Sequence, residues 1–122
     1  HITSSPSTAA LIRRGRRVAD YLRADCFAIA VVSGGTTDRL PSHEREAIDR
    51  HLEFARKMRI ETRVVPRTSE QDDEAGALVD FARHNRVTQI FLSKPGSAGF
   101  RRWRFGGDLV SRILRLAGDL QV

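Results

Sequence analysis

The fold is decided by residues 87–114, which read VTQIFLSKPGSAGFRRWRFGGDLVSRIL. This stretch opens with β-branched and aromatic residues over the length of a buried strand, continues as a basic, glycine-rich segment, and ends with apolar residues at helical spacing. It predicts a strand, a loop and a helix. In an open α/β sheet, ligands bind beyond the carboxyl ends of the strands, where a helix start also offers N–H groups to an anion. The loop is therefore the first candidate site.

The predicted loop combines cations, aromatic rings and glycines. Its candidate residues for binding a nucleotide or a protein partner are Lys94, Gly96, Gly99, Arg101, Arg102, Trp103, Arg104, Gly107 and Asp108. Charged groups of this kind favour phosphate or an acidic partner. An alternative interpretation carries equal weight, because aromatic residues often pack a loop onto its domain and arginines often only hydrate a surface. Turns also use glycine for its positive φ, whatever they bind.

Length and composition describe one soluble globular domain. The 122 residues can bury one core but not two, and 40% hydrophobic with 30% charged residues is not the composition of a disordered chain. Apolar runs such as 27–32 are far shorter than the roughly 20 residues of a membrane-spanning helix, and no segment resembles a secretory signal. The single cysteine, Cys26, excludes an internal disulfide and suits a reducing compartment. Its place at a strand start favours a buried side chain over a reactive thiol.

The chain is basic, with 21 Lys and Arg against 15 Asp and Glu and a net charge of +6. Such a charge can indicate nucleic acid or an anionic surface. The basic residues are spread over several predicted elements instead of one face. The sequence therefore predicts no nucleic-acid partner and no membrane insertion by this segment.

Periodicity predicts alternating helices and strands. The predicted helices cover about 8–22, 42–58, 74–84 and 109–117, and the predicted strands about 27–32, 61–65 and 87–92. Residues 1–3 and 119–122 look like the end and the start of two further strands. This order predicts an α/β fold with an open, parallel, five-stranded sheet between helices, its first and last strands truncated. We expect one domain over residues 1–122, excised from a longer protein.

Several local features are predicted at the level of single residues. Ser5 and Ser7 are hydroxyl caps for the first helix, and Asn85 suits a left-handed cap of the third. His43 and His51 have no neighbours at metal-ligand spacing, so we expect solvated histidines and no metal site. The residues expected to face inward on the first and last helices are Leu11, Ile12, Gly15, Ala19, Leu22, Leu109, Val110, Ile113, Leu114 and Ala117.

Seven short pieces of the chain carry a family resemblance in their order and spacing. They are residues 11–19, 27–32, 40–41, 81–90, 93–95, 102–103 and 116–122. Together they resemble the universal stress protein fold, and more narrowly the stress-protein-like domain of the KdpD sensor histidine kinases of the bacterial potassium and osmotic response. The resemblance implies a cytoplasmic regulatory module of a two-component kinase, with a parent in the inner membrane and no catalysis by this segment.

The resemblance also implies two candidate nucleotides, ATP and cyclic di-AMP. ATP-binding relatives hold phosphates with two glycines in a G-x-x-G spacing, nine further residues, and a glycine followed by Ser or Thr. Gly96 and Gly99 fit the first part, but seven residues separate Gly99 from Gly107, and Asp108 stands in the hydroxyl position. Its carboxylate would cap the helix and repel a phosphate. The pattern therefore departs from that of an ATP site.

Some KdpD modules bind cyclic di-AMP through Ser-x-Ser near the first helix and an aromatic-led segment of a strand. Ser5, Ser7, Phe27 and Ala28 resemble that arrangement with a slip of one residue. The alternative interpretation, that the serines are caps and Phe27 is core, is favoured. Other relatives dock free universal stress proteins, and the implied partners here are such proteins, the other domains of the parent kinase, or a second copy in a homodimer.

No catalytic constellation is present. The chain contains neither a Gly-x-Ser-x-Gly elbow nor a Gly-Lys-Ser/Thr phosphate loop. Two hypotheses remain: a regulatory module of a sensor kinase that acts through the basic loop, and a stand-alone universal stress protein that binds ATP. The glycine spacing and Asp108 favour the first.

Overall fold

The chain alternates helices and strands as its periodicity predicts. The computed structural model describes residues 1–67, 74–93 and 109–117. Its elements are α1 (Thr8–Leu22), β1 (Phe27–Val32), α2 (Ser42–Lys57), β2 (Glu61–Pro66), α3 (Glu74–His84) and α4 (Leu109–Ala117). The α/β class is confirmed, and these six elements begin and end within two residues of their predicted bounds.

The described sheet contains two parallel strands. β1 and β2 pair in register from Phe27 opposite Glu61 to Val32 opposite Pro66. Within the described ranges the predicted five-stranded sheet is therefore not observed. Residues 119–122, predicted to start the last strand, lie outside the described residues.

Residues 87–92 were predicted as a strand. In the described chain they contain an isolated β-bridge residue, Gln89, and do not form a continuous strand. The reason is that the N-terminal residues lie between this segment and β1. The amino group of His1 donates to the Phe91 carbonyl at 2.9 Å, and the Ile2 N–H donates to the Ile29 carbonyl at 2.7 Å. Ile2 is 4% exposed, as expected of a residue inside a sheet. Without a longer partner on this side, residues 87–92 lack a continuous ladder.

Two apolar cores cover the two faces of the sheet. One contains Ile29 and Val31 of β1 with residues of α3 and α4, and the other contains Ala28 and Ala30 with residues of α1 and α2. The uninterrupted apolar sequence of β1 follows from this double burial. By contrast, β2 alternates between exposed and half-buried residues from Glu61 to Val64, and Val64 and Val65 are both half-buried.

Most inward-facing helix residues are placed as expected, with two exceptions. On α1, Ile12, Gly15 and Ala19 are buried, but Leu22 is 52% exposed. On α4, Ile113 is fully buried, but Leu114 is 55% exposed. The predictions for Leu22 and Leu114 are wrong, because each helix covers its core with a narrower stripe than the apolar pattern suggests.

Three helices are followed, within two residues of their last residue, by an arginine in the left-handed backbone region. Arg23, Arg59 and Arg86 have φ values of 53°, 60° and 54°. In each case the next residue's N–H donates to the carbonyl five residues earlier: Ala24 to Ala19, Ile60 to Ala55 and Val87 to Ala82, at 2.9, 3.0 and 2.8 Å. The prediction that Asn85 is the left-handed cap of α3 is wrong. Its side-chain amide instead donates to the Phe81 carbonyl at 2.9 Å.

We expect Arg59→Gly to raise the free energy of unfolding by about 0.5–1 kcal/mol. A left-handed conformation costs residues other than glycine roughly 1–2 kcal/mol, and glycine avoids this cost. Glycine also makes the unfolded chain more flexible, which offsets part of the gain in stability. The Arg59 side chain is exposed, and its carbonyl, which accepts from Arg16 Nη1 at 3.2 Å, is kept in glycine. Urea denaturation measures the effect, with Arg59→Ala as the matched control. Equal stability of the Gly and Ala variants would contradict the prediction.

Candidate functional site

A cluster of ionisable side chains lies where β1 and β2 end, at the carboxyl edge of the sheet. Nε2 of His1 is 2.8 Å from Oε1 of Glu74, and the two side chains are 3% and 30% exposed. Arg67 directly follows β2, and its N–H donates to the Val32 carbonyl at 3.2 Å, which fixes it at this edge. We call His1, Arg67, Glu74 and Arg112 the edge cluster.

Electrostatics of the edge cluster favour an ionised Glu74. Burial by itself raises the pKa of Glu74, but the hydrogen bond and charge of His1, followed by the charges of Arg67 and Arg112, outweigh it. The net result holds the pKa of this carboxyl below its usual range. Among the described residues, the cluster therefore sets the carboxylate of Glu74 beside the cations Arg67 and Arg112.

The described chain on both sides of the predicted basic loop borders this edge. Ser93 follows Phe91, whose carbonyl is bonded to His1, and the Ser93 hydroxyl is buried with no hydrogen-bond partner among the described residues. On the far side of the loop, Arg112 of α4 is close enough to lower the Glu74 pKa. The loop residues themselves, Lys94, Gly96, Gly99, Arg101, Arg102, Trp103, Arg104, Gly107 and Asp108, lie outside the described residues.

Hydroxyl groups between the N-terminal residues and α1 form a local network. Ser5 Oγ and Ser7 Oγ are 2.8 Å apart, and the Ser7 N–H donates to Ser5 Oγ at 3.3 Å. Thr3 Oγ1 lies 3.1 Å from Thr8 Oγ1, and Thr8 is fully buried. Ser7 precedes α1 but makes no side-chain capping bond, so the prediction of Ser7 as a hydroxyl cap is wrong. The Ser7 hydroxyl is instead hydrogen-bonded to the Ser5 hydroxyl.

Phe27 and Ala28 begin β1 and pack in its two apolar cores. The Phe27 ring packs edge-to-face against Phe81, with centroids 5.4 Å apart, and Ala28 is 4% exposed. Within the described residues, no hydrogen bond joins Ser5 or Ser7 to Phe27 or Ala28. Contact of these four residues with cyclic di-AMP stays a prediction.

Two contacts of the N-terminal residues were missed by sequence reasoning. His51, predicted to be solvated, is half-buried, and its Nδ1 donates to the Thr3 carbonyl at 2.9 Å. The solvated interpretation is wrong because residue 3 crosses over α2 at this point. His43 is exposed as predicted. No local signal could have revealed the His51 or Glu74 contacts, since each joins residues far apart in sequence.

Cys26 has the environment of an unreactive thiol. Burial raises the pKa of Cys26, the charge of Arg16 lowers it, and that of Asp20 raises it, with a net increase. Because the thiolate is the reactive species, we expect iodoacetamide at pH 8 to modify the folded protein several-fold more slowly than the urea-unfolded chain. Mass spectrometry of quenched samples measures both rates. A folded-state rate equal to or above the unfolded rate would contradict the assignment.

In the described ranges 1–67, 74–93 and 109–117, no helix combines the length and hydropathy needed to span a bilayer. In the same ranges no three His, Cys, Asp or Glu side chains are grouped as metal ligands would be.

Comparison with known proteins identifies one informative relative. The chain matches no protein-family model. It is 31% identical over 110 residues to the sensor protein KdpD of Escherichia coli (strain K12), an alignment that covers 90% of this chain. The resemblance to KdpD is confirmed. The chain spans only 11% of the length of KdpD, so the aligned region is one segment of a much longer protein.

Proposed function

We propose that this chain is a cytoplasmic regulatory module of a potassium-responsive sensor histidine kinase and has no catalytic role of its own. The observation that carries the proposal is the 31% identity to KdpD over 90% of the chain. The proposed complete fold is the five-stranded, universal-stress-protein-like sheet. In this fold the described strands would occupy part of the sheet and the basic loop 94–108 would follow one of its carboxyl ends.

The edge cluster supports the proposal that this edge of the sheet is the binding surface. Among the described residues, Arg67 and Arg112 act on the carboxylate of Glu74, which His1 contacts at 2.8 Å. These two arginines would contribute positive charge to the surface that an anionic ligand approaches. Added to the cations of residues 94–104, this favours an acidic protein surface or a small phosphate-bearing nucleotide as the ligand.

Between these ligands, protein docking is the preferred interpretation. Asp108 stands where ATP-binding relatives carry a hydroxyl, and a carboxylate at a helix start competes with phosphate for the same N–H groups. The docked protein would be another domain of the parent kinase or a free universal stress protein. A stand-alone ATP-binding stress protein is the alternative, favoured by the spacing of Gly96 and Gly99 alone.

Calorimetric titration with ATP and with cyclic di-AMP tests the ranking directly. We expect weak or no heat with ATP. Micromolar or tighter ATP binding that is lost in Gly99→Phe would overturn the ranking in favour of the stress-protein alternative. Binding of cyclic di-AMP that is lost in Ser5→Ala and Ser7→Ala, but kept in Gly99→Phe, would assign the nucleotide to the serines instead of the loop.

Charge reversal tests the loop. We expect Arg101→Glu, Arg102→Glu and Arg104→Glu together to reduce the potassium dependence of autophosphorylation in the full-length parent kinase by tenfold or more, as expected for the loss of about 1.4 kcal/mol of docking energy. The matched control reverses Arg14, Arg17 and Arg50, three exposed helix residues, and so changes the net charge equally. If both triple variants respond to potassium like the unmodified kinase, the loop has no regulatory role.

A further inference from the structure

The amino edge of the sheet, opposite the edge cluster, is formed by the ends of helices. α1, α2 and α3 each lead through a short connection into the next extended segment, so their last turns lie where these segments begin. The guanidinium group of Arg83 on α3 donates to the Leu116 carbonyl, which places the end of α4 at the same edge. Four helix ends therefore meet at this edge of the described chain.

Each of the three connections contains one of the left-handed arginines, Arg23, Arg59 and Arg86. The left-handed position after a helix is usually glycine, and less often asparagine, because other side chains are strained there. This chain has arginine at all three positions, and each position loses stability as a result. The same departure from a local rule, repeated at one edge, indicates that the arginines serve a function other than stability.

The three arginine side chains are exposed and available to a ligand. In the part of the chain that the structure describes, their guanidinium groups form no hydrogen bond and no ion pair. Compensation of the helix dipole does not explain them on α2 and α3, since the last turns of these helices already contain Arg56 and Arg83. The three connections contain one other charged residue, Asp25.

Exposed apolar side chains lie at the same edge. Among the described residues, the large hydrophobic side chains that are exposed are Tyr21, Leu22, Leu114 and Leu116. All four belong to the last turn of a helix, two on α1 and two on α4. Tyr21 is 88% exposed and Arg23 follows it by two residues, so the edge combines an aromatic ring, leucines and arginines.

We propose that the amino edge binds the surface of an anionic lipid bilayer, without inserting any segment across it. Arg23, Arg59 and Arg86 would contact lipid phosphates, while Tyr21 and Leu22 would lie at the level of the headgroups. Tyrosine is enriched at membrane–water interfaces, and basic side chains near an anionic membrane favour binding.

An acidic protein fits this edge less well than a bilayer does. Protein interfaces concentrate apolar side chains in a packed, desolvated centre. The apolar side chains here are instead divided between the ends of two helices, α1 and α4. The amino edge lies opposite the carboxyl edge, so the proposal does not depend on what the basic loop binds.

Co-sedimentation of the 122-residue chain with lipid vesicles tests the proposal. The vesicles contain equal amounts of phosphatidylglycerol and phosphatidylcholine, or phosphatidylcholine alone. We expect binding to the anionic vesicles only, and we expect it to weaken as NaCl is raised from about 0.1 M to about 1 M, because salt screens exposed charges. Absence of binding to the anionic vesicles at the lower salt concentration would overturn the proposal.

The decisive variant combines Arg23→Gly, Arg59→Gly and Arg86→Gly. We expect it to raise the Tm by about 5 °C or more, because the strain is removed. We also expect it to weaken binding to the anionic vesicles by about a hundredfold, because three cations are lost from the surface. Unfolding cannot cause this loss, since stability and binding change in opposite directions. Lysine at the same three positions keeps the charge and should keep the binding.

Two further variants separate the edge from general charge and from its apolar part. Arg14→Gln, Arg39→Gln and Arg50→Gln together remove three exposed cations elsewhere, and binding should stay within about threefold because distant charges are screened. Tyr21→Ser should weaken binding several-fold at an unchanged Tm, since its side chain is almost fully exposed.

Three results would overturn the bilayer proposal. One is equal vesicle binding by the triple glycine variant and the unmodified chain, or an equal loss in the triple glutamine control. Another is a loss of vesicle binding only when Arg101, Arg102 and Arg104 are changed to Gln, which would assign the lipid to the basic loop. The last is tighter binding to polyglutamate than to anionic vesicles, with no effect of Tyr21→Ser on either, which would identify an acidic protein surface as the partner.

Discussion

Replacing Ile113 by alanine is expected to lower the free energy of unfolding by about 3 kcal/mol. Ile113 is the fully buried side chain of α4, with 0% of its surface exposed. It packs in the same core as Leu78, Val79 and Ala82 of α3. Alanine would remove three buried carbon atoms and leave a void that a rigid sheet and helix cannot close fully. Urea denaturation followed by circular dichroism measures the loss.

Leu114→Ala is the matched control for this core mutation. Leu114 is the next residue on the same helix but is 55% exposed, so we expect a change within about 0.5 kcal/mol. Similar losses in both variants would mean that α4 does not dock through Ile113. Such a result would also change the placement of the proposed site, because α4 carries Arg112 of the edge cluster and follows the basic loop in sequence.

Local sequence patterns predicted the elements because their causes are local. β1 lacks polar alternation since both its faces are covered, and that double burial is visible in residues 27–32 alone. The helices α1 to α3 were predicted by their apolar spacing, which reports the face that meets a core. Leu22 and Leu114 were misassigned because apolar spacing shows which face is apolar, not how far the neighbouring layer extends.

Contacts that depend on the sheet order could not be predicted. Residues 87–92 have the composition of a strand, but their pairing depends on what lies between them and β1, and His1 and Ile2 lie there. The same placement brings His1 to Glu74 and Thr3 to His51. In the candidate site, the loop was predicted from its charge and glycine content. Arg67 and Glu74 of the edge cluster carry no motif, and only the fold brings them together.

We expect Glu74→Gln to lower the free energy of unfolding at pH 7 by about 1–3 kcal/mol, and the difference from the unmodified chain to vanish in acid. Glutamine keeps the shape but loses the charge that His1, Arg67 and Arg112 stabilise. The folded pKa of Glu74 lies below its ordinary value of 4.5. The stabilisation is therefore fully present above pH about 4.5 and is lost as the pH falls through the lower, folded pKa.

Urea titrations at several pH values between 7 and 3 measure this difference. Glu46→Gln on α2 is the matched control, because Glu46 is exposed and its replacement should change stability little at any pH. A Glu74→Gln chain that stays equally less stable at pH 3 and pH 7 would mean that shape, not charge, sets the role of this residue. The electrostatic support for the proposed binding surface would then be removed, because the cations at the edge would not be arranged around an ionised carboxylate.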